Sequence, residues 1–118
     1  MKISRKIPKE FFYRSILDLI RTIPPLNKLR PKELELLSEI MFQNDSMRDI
    51  DKNKRKIIIF STENRKIMHE KLKCSQNIFN NNLSILKKHK LITHDNELIP
   101  TLDVDFKNGF NLDITITT

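Results

Sequence analysis

The sequence contains almost no glycine and almost no cysteine, and this scarcity excludes several classes of protein. The single glycine, Gly109, leaves no place for a glycine-rich phosphate-binding loop, and it favours helices over tight hairpins. The single cysteine, Cys74, excludes a disulfide framework and a cysteine-rich zinc site. No apolar run approaches the roughly 18 residues that a membrane helix requires. The N-terminus lacks the apolar core of a signal peptide, so we expect a cytoplasmic protein.

The chain has a net charge of +7, and this charge is distributed unevenly. Residues 1–30 carry +6 and residues 61–92 carry +5, whereas residues 31–60 are neutral and residues 93–118 carry −4. A polyanion would therefore be attracted to two segments and repelled by the last one. The abundance of Lys, Asn and Ile is also what an AT-rich genome produces, so the charge alone leaves nucleic-acid binding and a solvated surface equally open.

The N-terminal residues predict a basic arm followed by an apolar helix. The arm covers residues 1–8, and apolar residues then recur at helical spacing as far as Ile23, where two prolines end the pattern. A second apolar strip, which includes Tyr13 and Leu17, gives this helix more apolar surface than one core contact needs. Burial of the helix on two sides explains the second strip, and a dimer or docking face would also explain it.

The middle of the chain predicts three helices, a loop and a strand. Helices are expected over residues 31–44, 63–72 and 76–89, because apolar residues recur at helical spacing after a proline or a capping serine or threonine. Residues 45–56 are almost wholly polar and predict an exposed loop. The β-branched run at residues 57–60 predicts a short buried strand.

The last part of the chain predicts short strands. Two extended runs around a polar tip indicate a β-hairpin over residues 91–99. The fold class is therefore mainly α with a small β-hairpin. Residues 31–100 would form the central domain, between the N-terminal arm and helix of residues 1–30 and a C-terminal β extension of residues 101–118.

The segment from Ser61 to Pro100 has two helices, a short turn between them and a hairpin. Its second helix ends in a motif of leucines and paired lysines that comprises Leu83, Leu86, Lys87, Lys88, Leu91 and Ile92. This segment resembles the winged helix-turn-helix DNA-binding domains of small phage and bacterial regulators and replication initiators. The resemblance implies a winged-helix fold in which the second helix enters the major groove.

The resemblance also implies which residues contact DNA. The residues expected to meet base edges are Ser75, Gln76, Asn77, Asn80, Asn81 and Ser84. Asparagine and glutamine can form two hydrogen bonds with adenine, which favours A·T-rich sites. The residues expected to contact phosphate are Lys73, Lys87 and Lys88, and Lys2, Arg5 and Lys6 in the arm. Compositional drift would explain the asparagines equally well, and a solvated helix end would explain the lysines.

Two features depart from the family pattern. Lys90 stands where many such domains place a glycine, which predicts that the second helix ends differently. The wing carries Asp95 and Glu97, so we expect it to stay out of the minor groove. These acids, the apolar N-terminal helix and the acidic tail support an alternative function as a phage virion or assembly protein, with the winged helix as a protein-interaction scaffold.

The sequence offers no constellation of catalytic residues. Its three histidines, His69, His89 and His94, lack metal-ligand spacing with one another and with Cys74, so we expect neither metal nor cofactor. The leading hypothesis is a non-enzymatic, winged-helix DNA-binding protein of a phage or other mobile element, which regulates transcription or assists replication. Its expected partner is double-stranded, A·T-rich DNA, with a homodimer or larger assembly also open and no membrane. It would act in the host cytoplasm, or be carried in the virion.

Overall fold

The computed structural model of the chain describes residues 9–102, with side chains from Phe12 onward except that of Thr101. Within this part the chain is helical. The helices are α1 (Lys9–Ile20), α2 (Pro31–Ser46), α3 (Lys52–Ile59), α4 (Thr62–Lys71) and α5 (Gln76–Lys88), and short 3₁₀ turns lie at Leu26–Lys28 and Pro100–Leu102. The basic arm and nearly all of the C-terminal β extension of the sequence analysis lie outside the described residues.

Helix α2 lies at the centre of the fold. It is in contact with α1, α3 and α5, whereas α4 packs against α3 and α5. Its apolar side chains are almost fully buried, and they are Leu34, Leu36, Leu37, Ile40 and Met41. These positions cover more than one face of the helix, so α2 can be covered by neighbours on several sides.

Helix α1 packs against α2 through one face, so burial on two sides is not what the described residues show. Tyr13, Ile16 and Leu17 are buried in the core, whereas Leu19 is exposed. The Tyr13 hydroxyl donates a hydrogen bond to the buried carboxylate of Asp45, near the end of α2. Arg48 Nε donates to the other oxygen of that carboxylate at 2.9 Å. The carboxylate is thus satisfied within the fold, and it ties α1 to α2.

The predicted strand at residues 57–60 is wrong, and the predicted loop at residues 45–56 is confined to residues 47–51. Residues Lys52–Ile59 form helix α3. Arg55 and Ile59, four residues apart, are its buried positions, while Ile57 is 68 % exposed. The β-branched run covers only one turn of this helix. Because β-propensity depends on how side chains pack, it does not prevent the helix here. Here the helical spacing brings two lysines of α3 to one acid of the loop beyond α5.

That acid, Glu97, belongs to the predicted wing, and the predicted wing hairpin is also wrong. Residues 91–99 make a single antiparallel bridge, between Ile92 and Leu98, and the described residues contain no β-strand. Each run is only about three residues long, and Pro100 cannot donate a further hydrogen bond to a ladder. Leu91 and Ile92 pack into the core next to the helices instead.

The fold class of the sequence analysis is therefore corrected. The described residues form a helical fold, and a winged helix with a β-hairpin wing is not what they adopt. The helices predicted at 31–44, 63–72 and 76–89 are confirmed with small shifts in their ends.

Helices α4 and α5 end in the same way, with a lysine in the left-handed region of backbone conformation. Lys73 has φ of 56° and Lys90 has φ of 60°. After α5, Leu91 N donates to Leu86 O at 3.1 Å and Lys90 N donates to Lys87 O at 3.0 Å. This is the hydrogen-bond pattern of a Schellman motif, whose left-handed position usually holds glycine. The expectation that α5 would end differently because it lacks glycine is thus wrong: lysine adopts the conformation despite its Cβ.

Glu97 fastens the 91–99 loop to α3, since Lys56 Nζ donates to it at 3.2 Å and Lys52 Nζ lies 3.5 Å away. The hydrogen bond from Lys56, helped by the charge of Lys52, lowers the pKa of Glu97 from its ordinary value of 4.5. A carboxylate with a lowered pKa stabilises the fold above the unfolded-state pKa, and this contribution is lost as pH falls through the folded-state pKa.

We therefore expect Glu97→Gln to lower the free energy of unfolding at pH 7, and the difference from the wild type to vanish well below pH 4.5. Urea unfolding at a series of pH values measures it. The control is Asp95→Asn, which alters an exposed acid with no ion pair among the described residues and should match the wild type throughout. A Glu97→Gln difference that does not change with pH would contradict the role of the ion pair.

A second expectation concerns the left-handed lysine that ends α5. Lys90→Gly should raise the free energy of unfolding by about 1 kcal/mol relative to Lys90→Ala, because only glycine escapes the Cβ penalty of the left-handed region. Both variants remove the same charge, so the comparison isolates the backbone. Equal midpoints in urea for the two variants would show that the backbone of Lys90 is unstrained.

Candidate nucleic-acid interface

The turn between α4 and α5 is held by hydrogen bonds from both sides. Cys74 N donates to His69 O at 3.0 Å, and His69 Nδ1 lies 3.1 Å from Cys74 O, so the α4 end and the turn are joined twice. Ser75 caps α5, because its Oγ accepts a hydrogen bond from Ile78 N at 3.2 Å. The direction in which α5 leaves the turn is therefore fixed locally.

One face of α5 is fixed by the core. Phe79, Leu83 and Leu86 are buried, and the helix packs through them towards α2. The opposite face is solvent-exposed, and we call it the polar face of α5; its members are Gln76, Asn77, Asn80, Asn81, Ser84 and Lys88. All six were singled out in the sequence analysis, and Ser75 and Lys73 beside them are exposed too, while Lys87 is half-buried.

The amide side chains on the polar face of α5 have no partner within the described part of the chain. This holds for Gln76, Asn77, Asn80 and Asn81, none of which donates or accepts a side-chain hydrogen bond there. Asn64 of α4 behaves differently: its Nδ2 lies 2.6 Å from both Gln43 Oε1 and Ile59 O. The α5 amides thus keep their full donor and acceptor capacity for another molecule.

Ser84 is less available than the sequence analysis expected. Its Oγ donates to Asn80 O, one turn earlier, at 3.0 Å. The hydroxyl hydrogen is therefore engaged within the helix, and the oxygen can act towards a partner only as an acceptor.

The charged side chains from Lys71 to Lys90 are all basic. The sequence from Lys71 to His94 contains no acidic residue. Four lysines of this stretch form no ion pair with any described residue, and they are Lys73, Lys87, Lys88 and Lys90. The remaining one, Lys71, pairs with Glu39 of α2 at 3.0 Å. Two helix-end lysines and the lysines at both turns therefore present uncompensated positive charge around an uncharged, amide-rich face.

The two acids of the 91–99 loop, Asp95 and Glu97, offset the positive charge near α5 less than the sequence suggested. Glu97 is neutralised by Lys52 and Lys56 of α3, which leaves Asp95 as the exposed acid of the loop. Sequence reasoning missed this pairing, because the partners are 41 residues apart and α3 had been taken for a loop and strand.

Sequence reasoning also missed Ile78. It was not among the residues expected to contact a partner, yet 48 % of it is exposed. Each residue of an α-helix turns by about 100°, so the residue before the buried Phe79 is rotated well away from the core. The helical wheel of residues 76–88 could have revealed it.

The three basic residues expected to contact phosphate from the arm, Lys2, Arg5 and Lys6, lie outside the described residues. Cys74 is a half-buried free thiol in the turn. Among the described residues, no three His, Cys, Asp or Glu side chains gather where they could hold a metal ion. No described helix has the length and apolar character needed to cross a membrane.

A small cavity lies between α2, α3 and the 91–99 loop. It measures about 20 Å³ and is lined by residues that include Asn44, Ile59 and Asn96. This volume suits one water molecule and is far below the roughly 300–1,000 Å³ of small-molecule sites. A wider, open depression of about 380 Å³ lies between the end of α3 and the loop, lined by residues that include Lys56, Phe60 and Asp95. We take the polar face of α5, with its unpaired amides and nearby lysines, as the candidate interface.

Comparisons of the chain with protein-family models, with curated proteins and with solved structures find no match. The interface is accordingly assigned from its own residues: an exposed, capped helix with unpaired amides, framed by lysines.

Proposed function

We propose that this protein is a non-enzymatic DNA-binding protein that inserts α5 into the major groove of double-stranded DNA. The observation that carries the proposal is the combination on α5 of unpaired amides with unpaired lysines, in a stretch of sequence without an acid. Phosphates would be met by the lysines, and base edges by the amides. The proposal depends on the two helices α4 and α5 and their turn, and it requires no wing.

The dimensions of DNA support this placement. An α-helix fits the B-DNA major groove, and the N-terminal residues of the inserted helix approach the bases first. In α5 these residues are Gln76, Asn77, Asn80 and Asn81, all exposed. The lysines at the end of the helix, Lys87 and Lys88, together with Lys73 in the turn before it, would lie where the flanking phosphates pass. A·T-rich sequence is the preferred target, because adenine offers asparagine a donor and an acceptor side by side.

The biological role that we attach to this binding is regulation of transcription or assistance in replication, by a phage or other mobile element in the cytoplasm of its host. The Lys-, Asn- and Ile-rich composition supports an AT-rich source.

A different function, as an interaction protein of a virion or other assembly, is favoured by exposed apolar residues outside α5. Leu19 and Ile23 near the end of α1, and Ile57 on α3, are about half exposed or more. Salt separates the two functions, since phosphate contacts weaken steeply as salt rises and apolar interfaces do not. Light scattering at several protein and salt concentrations, with and without duplex DNA, distinguishes them.

The lysines after the α5 interior should control affinity for every sequence. We expect the double variant Lys87→Ala/Lys88→Ala to bind A·T-rich and G·C-rich duplexes more weakly by similar factors. The slope of log K against log salt should fall in magnitude by about 1.8, or about 0.9 for each phosphate that a lysine no longer neutralises. Fluorescence anisotropy at several salt concentrations measures both. Lys32→Ala, an exposed lysine at the start of α2, serves as control and should keep the wild-type slope. An unchanged slope in the double variant would remove these lysines from the interface.

The asparagines should control discrimination instead. Asn77→Ala, Asn80→Ala and Asn81→Ala should each reduce the preference for A·T-rich over G·C-rich duplex, by about 1–3 kcal/mol for each pair of hydrogen bonds to adenine that is removed, and leave the salt slope intact. Asn53→Ala, an exposed asparagine of α3, is the matched control. Unaltered preference in all three α5 variants would mean that another element reads the DNA.

A further inference from the structure

Ile78 is the apolar member of an otherwise polar surface. It is the third residue of α5 and is 48 % exposed, whereas Phe79 beside it is 1 % exposed. Its backbone N–H is engaged by Ser75 Oγ at 3.2 Å, which fixes its place in the first turn. The side chain therefore stands at the end of α5 that would enter the groove first.

Its neighbours on the helix surface are amides. Residues three and four apart lie next to each other on an α-helix, so Ile78 adjoins Asn81 and Asn82 one turn on. Asn77 precedes it in the chain on the exposed side. No acidic residue occurs between Lys71 and His94, so the chain on either side of Ile78 carries no negative charge that would repel a polyanion. Other exposed isoleucines, such as Ile58, which is 43 % exposed, lie outside this acid-free stretch.

An A·T base pair presents both kinds of group in the major groove. Adenine offers its N7 acceptor and N6 donor, and thymine offers the C5 methyl next to the O4 acceptor. Asparagine matches the adenine edge, and an apolar side chain matches the methyl group. An isoleucine next to asparagines can therefore contact the thymine methyl group while an asparagine bonds adenine, in one A·T pair or in two adjacent pairs.

We infer that Ile78 packs against thymine methyl groups, so that α5 distinguishes thymine-containing duplex from the same sequence with uracil. This inference rests on the proposed DNA-binding function, and it names the base chemistry that the site selects. It assigns to Ile78 a role in specificity, with the asparagines beside it reading the paired adenines.

The test uses the full chain and two synthetic duplexes of one A·T-rich sequence, the second with deoxyuridine in place of every thymidine. The duplexes have the same charge and the same base-pairing groups, and they differ by the methyl groups. We expect the wild type to bind the thymine duplex about fourfold more tightly for each methyl group buried. Ile78→Ala should lose most of this preference, whereas Ile78→Val should retain most of it.

The matched control is Ile58→Ala, which removes an exposed isoleucine of similar accessibility from α3 and should keep the full thymine preference. Comparing variant and wild type on both duplexes cancels any effect of the methyl groups on DNA shape. Binding of both duplexes without a preference overturns the inference but leaves DNA binding intact. A preference that survives in Ile78→Ala overturns it too, since another residue then contacts the methyl groups. Failure to bind either duplex overturns the proposed function itself.

Discussion

Burial of α2 is the constraint on which the rest of the structure depends. Its leucines, with Ile40 and Met41, can be removed from water only if other helices cover them, and α1, α3 and α5 do so. Each of these helices then has one face committed to the core. The polar contacts also centre on α2. Its Asp45 accepts hydrogen bonds from Tyr13 and Arg48, and its Glu39 forms an ion pair with Lys71 of α4. Because α5 must cover α2 with its apolar face, the opposite face of α5 is left exposed to solvent.

The parts of this fold that could be predicted are those whose signals are local. Pro31, Ser61 and Ser75 mark helix starts through their own backbone geometry and capping bonds, and the helices after them begin at the next residue or at the proline itself. The periodicity of Phe79, Leu83 and Leu86 likewise determines which side of α5 is exposed. Most of the candidate interface was accessible from sequence for this reason.

The parts that could not be predicted depend on contacts between distant residues. The composition of residues 57–60 is typical of a strand. In the structure Lys52 and Lys56, one helical turn apart, both pair with Glu97. The local sequence gives no sign of this partner, which lies 41 residues from Lys56. The predicted wing hairpin was wrong because pairing stops at the single bridge between Ile92 and Leu98, although Leu91 and Ile92 are buried in the core. Whether a lysine or an amide remains unpaired is equally a property of the whole fold. The sequence thus located α2, α4 and α5, but it missed α3 and predicted β-structure that the described residues do not form.

The left-handed lysines at positions 73 and 90 flank α5 on both sides. A residue with a Cβ adopts this conformation at a cost in free energy, so each lysine lowers the local free energy needed to unwind the adjoining turn. Asn96 in the 91–99 loop, with φ of 62°, shares this conformation, so the strained positions of the described chain lie at the ends of α4 and α5 and in that loop. Amide hydrogens in the end turns of α5 would accordingly exchange with solvent through local opening, independently of global unfolding. Helix α5 is therefore anchored along its buried face and comparatively easy to unwind at its C-terminal end, so its last turn can open without disturbing the core.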